Sequence, residues 1–191
     1  MHLAVQAIRN GDCHQAVIAG INFITSPIDS ISYSKAGVLS PDGVSRSFDE
    51  AANGFARADT GTSLGQLDCP VLILSSHVAG AVVIKRHDLA VQDYNDILAS
   101  LVGTAITTCG SIMGSLSTPS PYAQSLAIRN AYRDAGLYPH HADFVELHGT
   151  GTVVGDGTET NAAGAVFAEG RGGREVIIGS VKSNVGHGET G

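Results

Sequence analysis

Between residues 142 and 181 the chain reads strand, helix, strand. "ADFVELH" is a short apolar run ending in a histidine, "TETNAAGAVFAEG" has a helical pattern, and "EVIIGSV" is a second apolar run. Strands that alternate with helices imply an α/β sandwich with a mainly parallel sheet, because a helix that crosses between strands packs on the sheet face. Upstream, "QAVIAGINFI", "GAVVIKR" and "ILASLVGTAITT" are short apolar runs. They read as further buried strands of a sheet covered on both faces. "SPYAQSLAIRNAYRDAGL" predicts a helix that starts at Ser120-Pro121 and closes at Gly136, with Leu126, Ala127, Ala131 and Ala135 near one stripe. His2 to Arg9 predicts a short helix ended by "NGD", Ser26-Pro27 a helix start, and Pro41-Asp42-Gly43 a turn. No internal repeat or low-complexity tract is present.

In open α/β sheets, ligands sit beyond the carboxyl ends of the strands. His148 follows one strand end and Lys182 another, so the loops carrying His148 and His187 are expected to converge on one face. Composition narrows what such a site serves. With 191 residues, 43% hydrophobic and 15% charged, the chain can bury a sizeable core and is not of the disordered class. A net charge of −7 without a lysine/arginine cluster argues against nucleic-acid binding. No apolar run is long enough to span a membrane. The N-terminus reads as a helix already under way rather than a signal peptide, and Cys13, Cys69 and Cys109 read as reduced thiols. A cytoplasmic location is expected.

Taken singly, each loop has a plain structural reading. A histidine after a strand is commonly structural, and "HGTGT" lacks both the lysine of a P-loop and the glycine spacing of a dinucleotide fingerprint. His140, His141 and His148 have no carboxylate or thiol at ligand spacing, so no metal site is expected. Together the loops say more. "VELHGTGTVVGD" and "GSVKSNVGHGE" resemble the two histidine motifs of β-ketoacyl synthase domains of polyketide synthases, in the family's order. "MHLAVQAIRNGDCHQAVIAGINFITSP", "SKAGVLSPDGVSRSFDEAANGFARAD" and "STPSPYAQSLAIRNAYRDAGL" extend the resemblance over nearly the whole chain.

The resemblance implies a thiolase-like layered α-β-α-β-α fold, with this chain covering the middle of the ketosynthase domain. Residues 1–115 would be the latter part of the N-terminal half and 116–191 the beginning of the C-terminal half. It also implies a decarboxylative Claisen condensation. An acyl chain on a cysteine is attacked by malonyl carried on the phosphopantetheine arm of an acyl carrier protein, and no cofactor is bound directly. By that resemblance His148 and His187 hold the enolate oxygen. Lys182 orients the site, and Glu189 supports the lysine or histidine network. Thr150 and Thr152 line the tunnel for the arm, and Gly149 and Gly151 let it approach the backbone. Asp156 and Glu159 are expected to be structural partners of a helix N-terminus. Partners would be the carrier protein, malonyl and acyl thioesters, and a second copy of the chain in the full enzyme, with no nucleic acid and no membrane.

Three departures stand against that pattern. None of the three cysteines sits in the family's Ala-Cys-Ser-Ser nucleophile motif, so this chain by itself is expected to be inactive in acyl transfer. Residues 60–78 interrupt the pattern, as a retained intron or as a true insertion. Thr107, Thr108 and Cys109 stand where the family often has an Asn-Gln-Asp-Gly loop. Two other readings remain: the condensing domain of an animal-type fatty acid synthase, and a non-catalytic remnant that binds carrier protein or dimerises.

Overall fold

A computed structural model of the chain describes residues 1–23, 26–58, 77–109 and 119–189. The chain begins with α1 (His2–Asn10), ended by Gly11 in the left-handed region, and continues into β1 (Gln15–Phe23). α2 (Pro27–Lys35) starts where Ser26 Oγ accepts the Ile28 N–H. After it come β2 (His77–Lys85) and α3 (His87–Gln92). α4 (Pro121–Ala135) is capped by Ser120 Oγ, which accepts the Ala123 N–H, and it ends at Gly136. A single 3₁₀ turn, Pro139–His141, leads into β3 (Phe144–Glu146), α5 (Val153–Phe167), β4 (Ile177–Gly179) and α6 (Lys182–Val185). The serine-proline starts and the glycine stop thus act as read: proline presets the first helical φ, and the serine oxygen takes an N–H that has no intrahelical acceptor.

β3 and β4 pair in parallel across α5, with Phe144 opposite Ile177 and Glu146 opposite Gly179. α5 presses Ala162, Ala163, Val166 and Phe167 inward. Leu147, Ala163 and Phe167 form the core, with Ile128 and Tyr132 of α4 packed on it and Phe48 closing one side. The alanines bring α4 and α5 close, and the Tyr132 and Phe167 rings meet edge to face at 5.8 Å. α5 begins at Val153, ahead of the expected "TETNAAG" start. The glycine-rich "VVGDG" has weak helix propensity, and its first turn is held by tertiary contacts of Asp156 instead.

Two strand expectations need correction. β1 and β2 run antiparallel, Gln15 opposite Lys85 and Gly20 opposite Gly80, so only the β3–β4 pair is parallel among the described strands. The order strand–helix–strand imposes a parallel crossover only when the helix packs on the sheet. α2 buries none of its residues, so it does not act as a crossover helix. Nor are these strands covered on both faces, for the facing pair Val17 and Val83 is 70% and 67% exposed. "ILASLVGTAITT" forms no strand. It lies between α1 and α4, tied by side chains. Asp134 accepts the Thr104 N–H at 2.9 Å, Arg9 donates to the Val102 carbonyl at 3.0 Å, and the Thr107 hydroxyl donates to the Ala123 carbonyl at 3.0 Å. Of the interruption at 60–78, residues 60–76 lie outside the described residues, as does Cys69; His77 and Val78 begin β2. In the third departure Thr107, Thr108 and Cys109 are described and residues 110–118 are not.

Candidate active site

Three loops meet beyond the ends of β3 and β4. The β3–β4 ladder continues one step past β3, where the Leu147 N–H donates to the Gly179 carbonyl at 2.8 Å. His148 and Ser180 then leave the two strands side by side, and the Ser180 hydroxyl donates to the His148 carbonyl at 3.0 Å. Glu146, the last residue of β3, accepts the Val181 N–H at 2.7 Å and fixes the second loop to the first. The third loop, residues 38–58, covers both. His187 pairs with Arg57 as a one-residue parallel bridge, its N–H donating to the Ala56 carbonyl at 2.7 Å and its carbonyl accepting the Ala58 N–H at 3.0 Å.

The outcome is a histidine pair. The rings of His148 and His187 lie 5.1 Å apart and edge to face, at 87°. Phe55 packs on the other side of His187 with ring centroids 5.1 Å apart. The convergence read from the strand ends is therefore present. Helix α5 shapes the first loop through two carboxylates. Glu159 accepts the N–H groups of His148 and Gly149 at 2.6 and 2.8 Å. Asp156, only 6% exposed, accepts the Gly151 N–H at 3.2 Å and the Phe48 N–H at 2.8 Å. These side chains hold loop N–H groups, a more specific task than the structural partnership with a helix N-terminus expected for them.

The glycines explain how tightly the loops pack. Gly149 has φ +45°, and a Cβ there would lie 2.6 Å from both Phe48 Cζ and Ser180 Cβ. Gly151 has φ +84°, and its Cβ would meet the Arg46 nitrogen at 2.8 Å. The close approach seen at both positions is made by the protein's own 46–54 loop and by Ser180. The hydroxyls of Thr150 and Thr152 lie 3.2 Å apart.

The electrostatics favour the neutral form of both imidazoles. Burial, then the Lys182 ammonium, lower the pKa of His148, against the opposing pull of Glu159 and Asp156. For His187, burial comes first, then His148 and Lys182, with Glu189 opposing. The tautomer of His187 follows from one contact. The Glu189 N–H donates to His187 Nδ1 at 2.8 Å, so in the neutral ring the hydrogen is on Nε2. The Glu189 carboxylate itself pairs with Arg57 and Asn22. Of the lysine and histidine expected as its partners, it serves the histidine, through its backbone. Cys13 is half-buried, Cys109 is exposed, and neither thiol hydrogen-bonds to a histidine. Among the described residues no three histidine, cysteine or acidic side chains gather as metal ligands, and no helix is long and apolar enough to cross a membrane.

Comparison with known proteins shows the family. Residues 1–64 match "Beta-ketoacyl synthase, N-terminal domain" and residues 98–191 match "Beta-ketoacyl synthase, C-terminal domain". The chain belongs to the β-ketoacyl synthase family. It is 42% identical to the squalestatin hexaketide synthase of Cochliobolus lunatus over 100% of its own length. Identity to a phenolphthiocerol/phthiocerol polyketide synthase of Mycobacterium bovis is 40% over 99% of the chain. The ketosynthase from module 6 of the bacillaene synthase of Bacillus subtilis superposes with a TM-score of 0.83 at 35% identity, covering 98% of the chain. The chain spans 7% and 9% of the length of those two curated relatives and 30% of that solved ketosynthase chain. The fold is accordingly that of ketosynthase domains, and the relatives named here make polyketides. The site also holds residues that sequence reasoning missed: Phe48, Arg57 and Asn22. All three lie far from the histidine motifs in sequence, and the only signal was that each falls inside one of the upstream family-like stretches, "INFITSP" and "SKAGVLSPDGVSRSFDEAANGFARAD".

Proposed function

We propose that this chain supplies the decarboxylation half of a polyketide ketosynthase site, where malonyl on a carrier protein becomes the carbon nucleophile. The observation that carries the reading is the His148–His187 pair with the His187 hydrogen on Nε2. When malonyl thioester loses CO₂, the electron pair of the breaking C–C bond moves into the enolate, and negative charge collects on the thioester oxygen. Two neutral N–H donors on rigid loops, with the Lys182 ammonium nearby, stabilise that oxygen more than the neutral carbonyl that precedes it. Thr150 and Thr152 offer hydroxyls to the amides of the phosphopantetheine arm, and Gly149 and Gly151 shape the loop that presents them. The carrier protein and its malonyl thioester are the partners; a second copy of the chain completes the assembly. The test is CO₂ release from malonyl carrier protein by the full-length protein that carries this sequence. Absence of release above a heat-inactivated control would sink the reading.

The pH profile should follow the two histidines. Their folded pKa values lie below the ordinary 6.5, so the unfolded chain takes up protons first as pH falls. Stability from the neutral pair is fully present above pH 6.5 and is lost as pH drops through 6.5 toward the folded values. Protonation of His187 also sets an Nδ1–H against the Glu189 N–H. CO₂ release and thermal stability should both show an acid limb with its midpoint under pH 6.5, and Lys182→Met should move that limb upward, toward 6.5. A limb that stays in place after that substitution would remove Lys182 from the electrostatics.

Acyl transfer is a separate matter. No cysteine of this chain lies in an Ala-Cys-Ser-Ser motif, and among the described residues neither Cys13 nor Cys109 hydrogen-bonds to a histidine. A nucleophilic thiol needs a base or positive field that lowers its pKa. Incubation of the 191-residue chain with a radiolabelled acyl thioester should leave no stable cysteine adduct, and a stoichiometric adduct on any of its cysteines would contradict this expectation.

A further inference from the structure

Arg57 lies outside both histidine motifs, yet its charged side chain is enclosed. Its side chain is 6% exposed. Nη1 donates to Ser30 Oγ of α2 at 2.7 Å, and the guanidinium sits over the Tyr33 ring, 5.5 Å from its centroid. Among the described residues, its other guanidinium contacts go to Glu189. Nη2 donates to Oε2 at 3.3 Å, and Nε lies 2.7 Å from Oε1 in an ion pair too poorly aligned to be a hydrogen bond. Asn22 Nδ2 adds a donor to Oε2 at 3.1 Å. Glu189 itself has φ +57°, a left-handed conformation that is unfavourable for a non-glycine residue. That same conformation aims its N–H at His187 Nδ1.

We propose that Arg57 is a positioning residue for His187: by anchoring the Glu189 carboxylate it keeps residue 189 in the left-handed turn whose N–H caps Nδ1, and so keeps the hydrogen of His187 on Nε2, facing the reacting oxygen. The inference rests on the donor role proposed above for His187. Without the anchor, residue 189 relaxes toward negative φ and its N–H leaves the ring. Nδ1 can then take the hydrogen, and the neutral imidazole turns a bare lone pair on Nε2 toward the developing negative charge. That change opposes the enolate and leaves the bound thioester nearly untouched, so its signature is kinetic. The guanidinium fork, fixed by Ser30 and Tyr33, matches a carboxylate better than an ammonium does.

The test is made on CO₂ release by the full-length protein, with thermal unfolding as the check on folding. Arg57→Met should lower kcat by about 10–100-fold with KM changed by less than about 3-fold, the pattern of an interaction made in the transition state. Arg57→Lys should recover part of that loss. In a His187→Ala background, Arg57→Met should change kcat by less than about 2-fold, because the effect passes through the imidazole. A merely structural arginine would lower kcat equally in both backgrounds, and that result overturns the proposal, as does a folded Arg57→Met with wild-type kcat. Should Arg57→Met fail to fold, Glu189→Gln keeps the volume and the Asn22 contact while removing the charge, and the same comparison in the His187→Ala background decides. If His187→Ala alone leaves kcat unchanged, the donor role of His187 fails; if it lowers kcat while both anchor variants do not, the anchor alone fails.

Discussion

Alanine at His187 in the full-length protein should slow CO₂ release from malonyl carrier protein by about 10²–10³-fold, the usual loss when one donor of an oxyanion-stabilising pair is removed. The expectation follows from geometry rather than from the residue type. The two imidazoles meet at 5.1 Å and nearly perpendicular, and the Glu189 N–H on Nδ1 leaves Nε2 as the donor. A hole left by alanine admits water, which can hydrogen-bond the oxygen but must reorganise as the charge develops. His148→Ala should cost a similar factor, and the double variant far less than the product, because the remaining donor no longer has a partner to complete the hole. KM for malonyl carrier protein should change little in all three. A loss under about 3-fold in a variant with unaltered thermal unfolding would show that the oxygen is held elsewhere.

The largest structural effect is expected at Gly149. Its φ of +45° is strained for any L side chain, and an added Cβ would lie 2.6 Å from the Phe48 ring and 2.6 Å from Ser180 Cβ. Phe48 cannot retreat easily. It is itself left-handed at φ 61°, its N–H is bound by the Asp156 carboxylate, and its ring closes one side of the core. Gly149→Ala should therefore destabilise by about 2–5 kcal/mol, the sum of a left-handed non-glycine residue and an overpacked contact. It should also slow CO₂ release, since His148 precedes it on the same short loop. Gly157→Ala is the control: that glycine lies inside α5 with nothing within 4 Å of an added Cβ. Helix propensity predicts that alanine there stabilises by up to about 1 kcal/mol. Denaturant titration of the two variants checks both signs. A Gly149→Ala protein within about 0.5 kcal/mol of wild type, the range of ordinary surface changes, would refute the packing argument.

Much of the layout is legible in the sequence where the signal is local. Ser26-Pro27, Ser120-Pro121 and Gly136 mark helix ends because capping is settled by a residue and its nearest neighbours. The β3–α5–β4 unit is legible because α5 carries a buried stripe, and a helix that packs on a sheet brings its two strands parallel. From that unit alone the two histidine loops had to leave adjacent strand ends. Strand direction at β1–β2 is not legible, since α2 lies between them in sequence and yet buries nothing. "ILASLVGTAITT" misleads for a related reason: an apolar run reports a wish for burial and not the partner, and here its hydrogen bonds go to α1 and α4.

The residue types of the site were set by sequence alone: two histidines, a lysine, small residues after the first histidine, and the chain order of the two motifs. Tertiary structure decided what those residues are chemically. It set the Glu159 carboxylate under the His148 backbone, and brought two partly desolvated imidazoles beside a lysine, which lowers the pKa of both. It also brought Arg57 and Asn22 onto the Glu189 carboxylate, contacts that join residues more than a hundred positions apart. Tautomer and protonation depend on which donor stands a hydrogen bond away and how much water is excluded, and no local pattern in the chain encodes either.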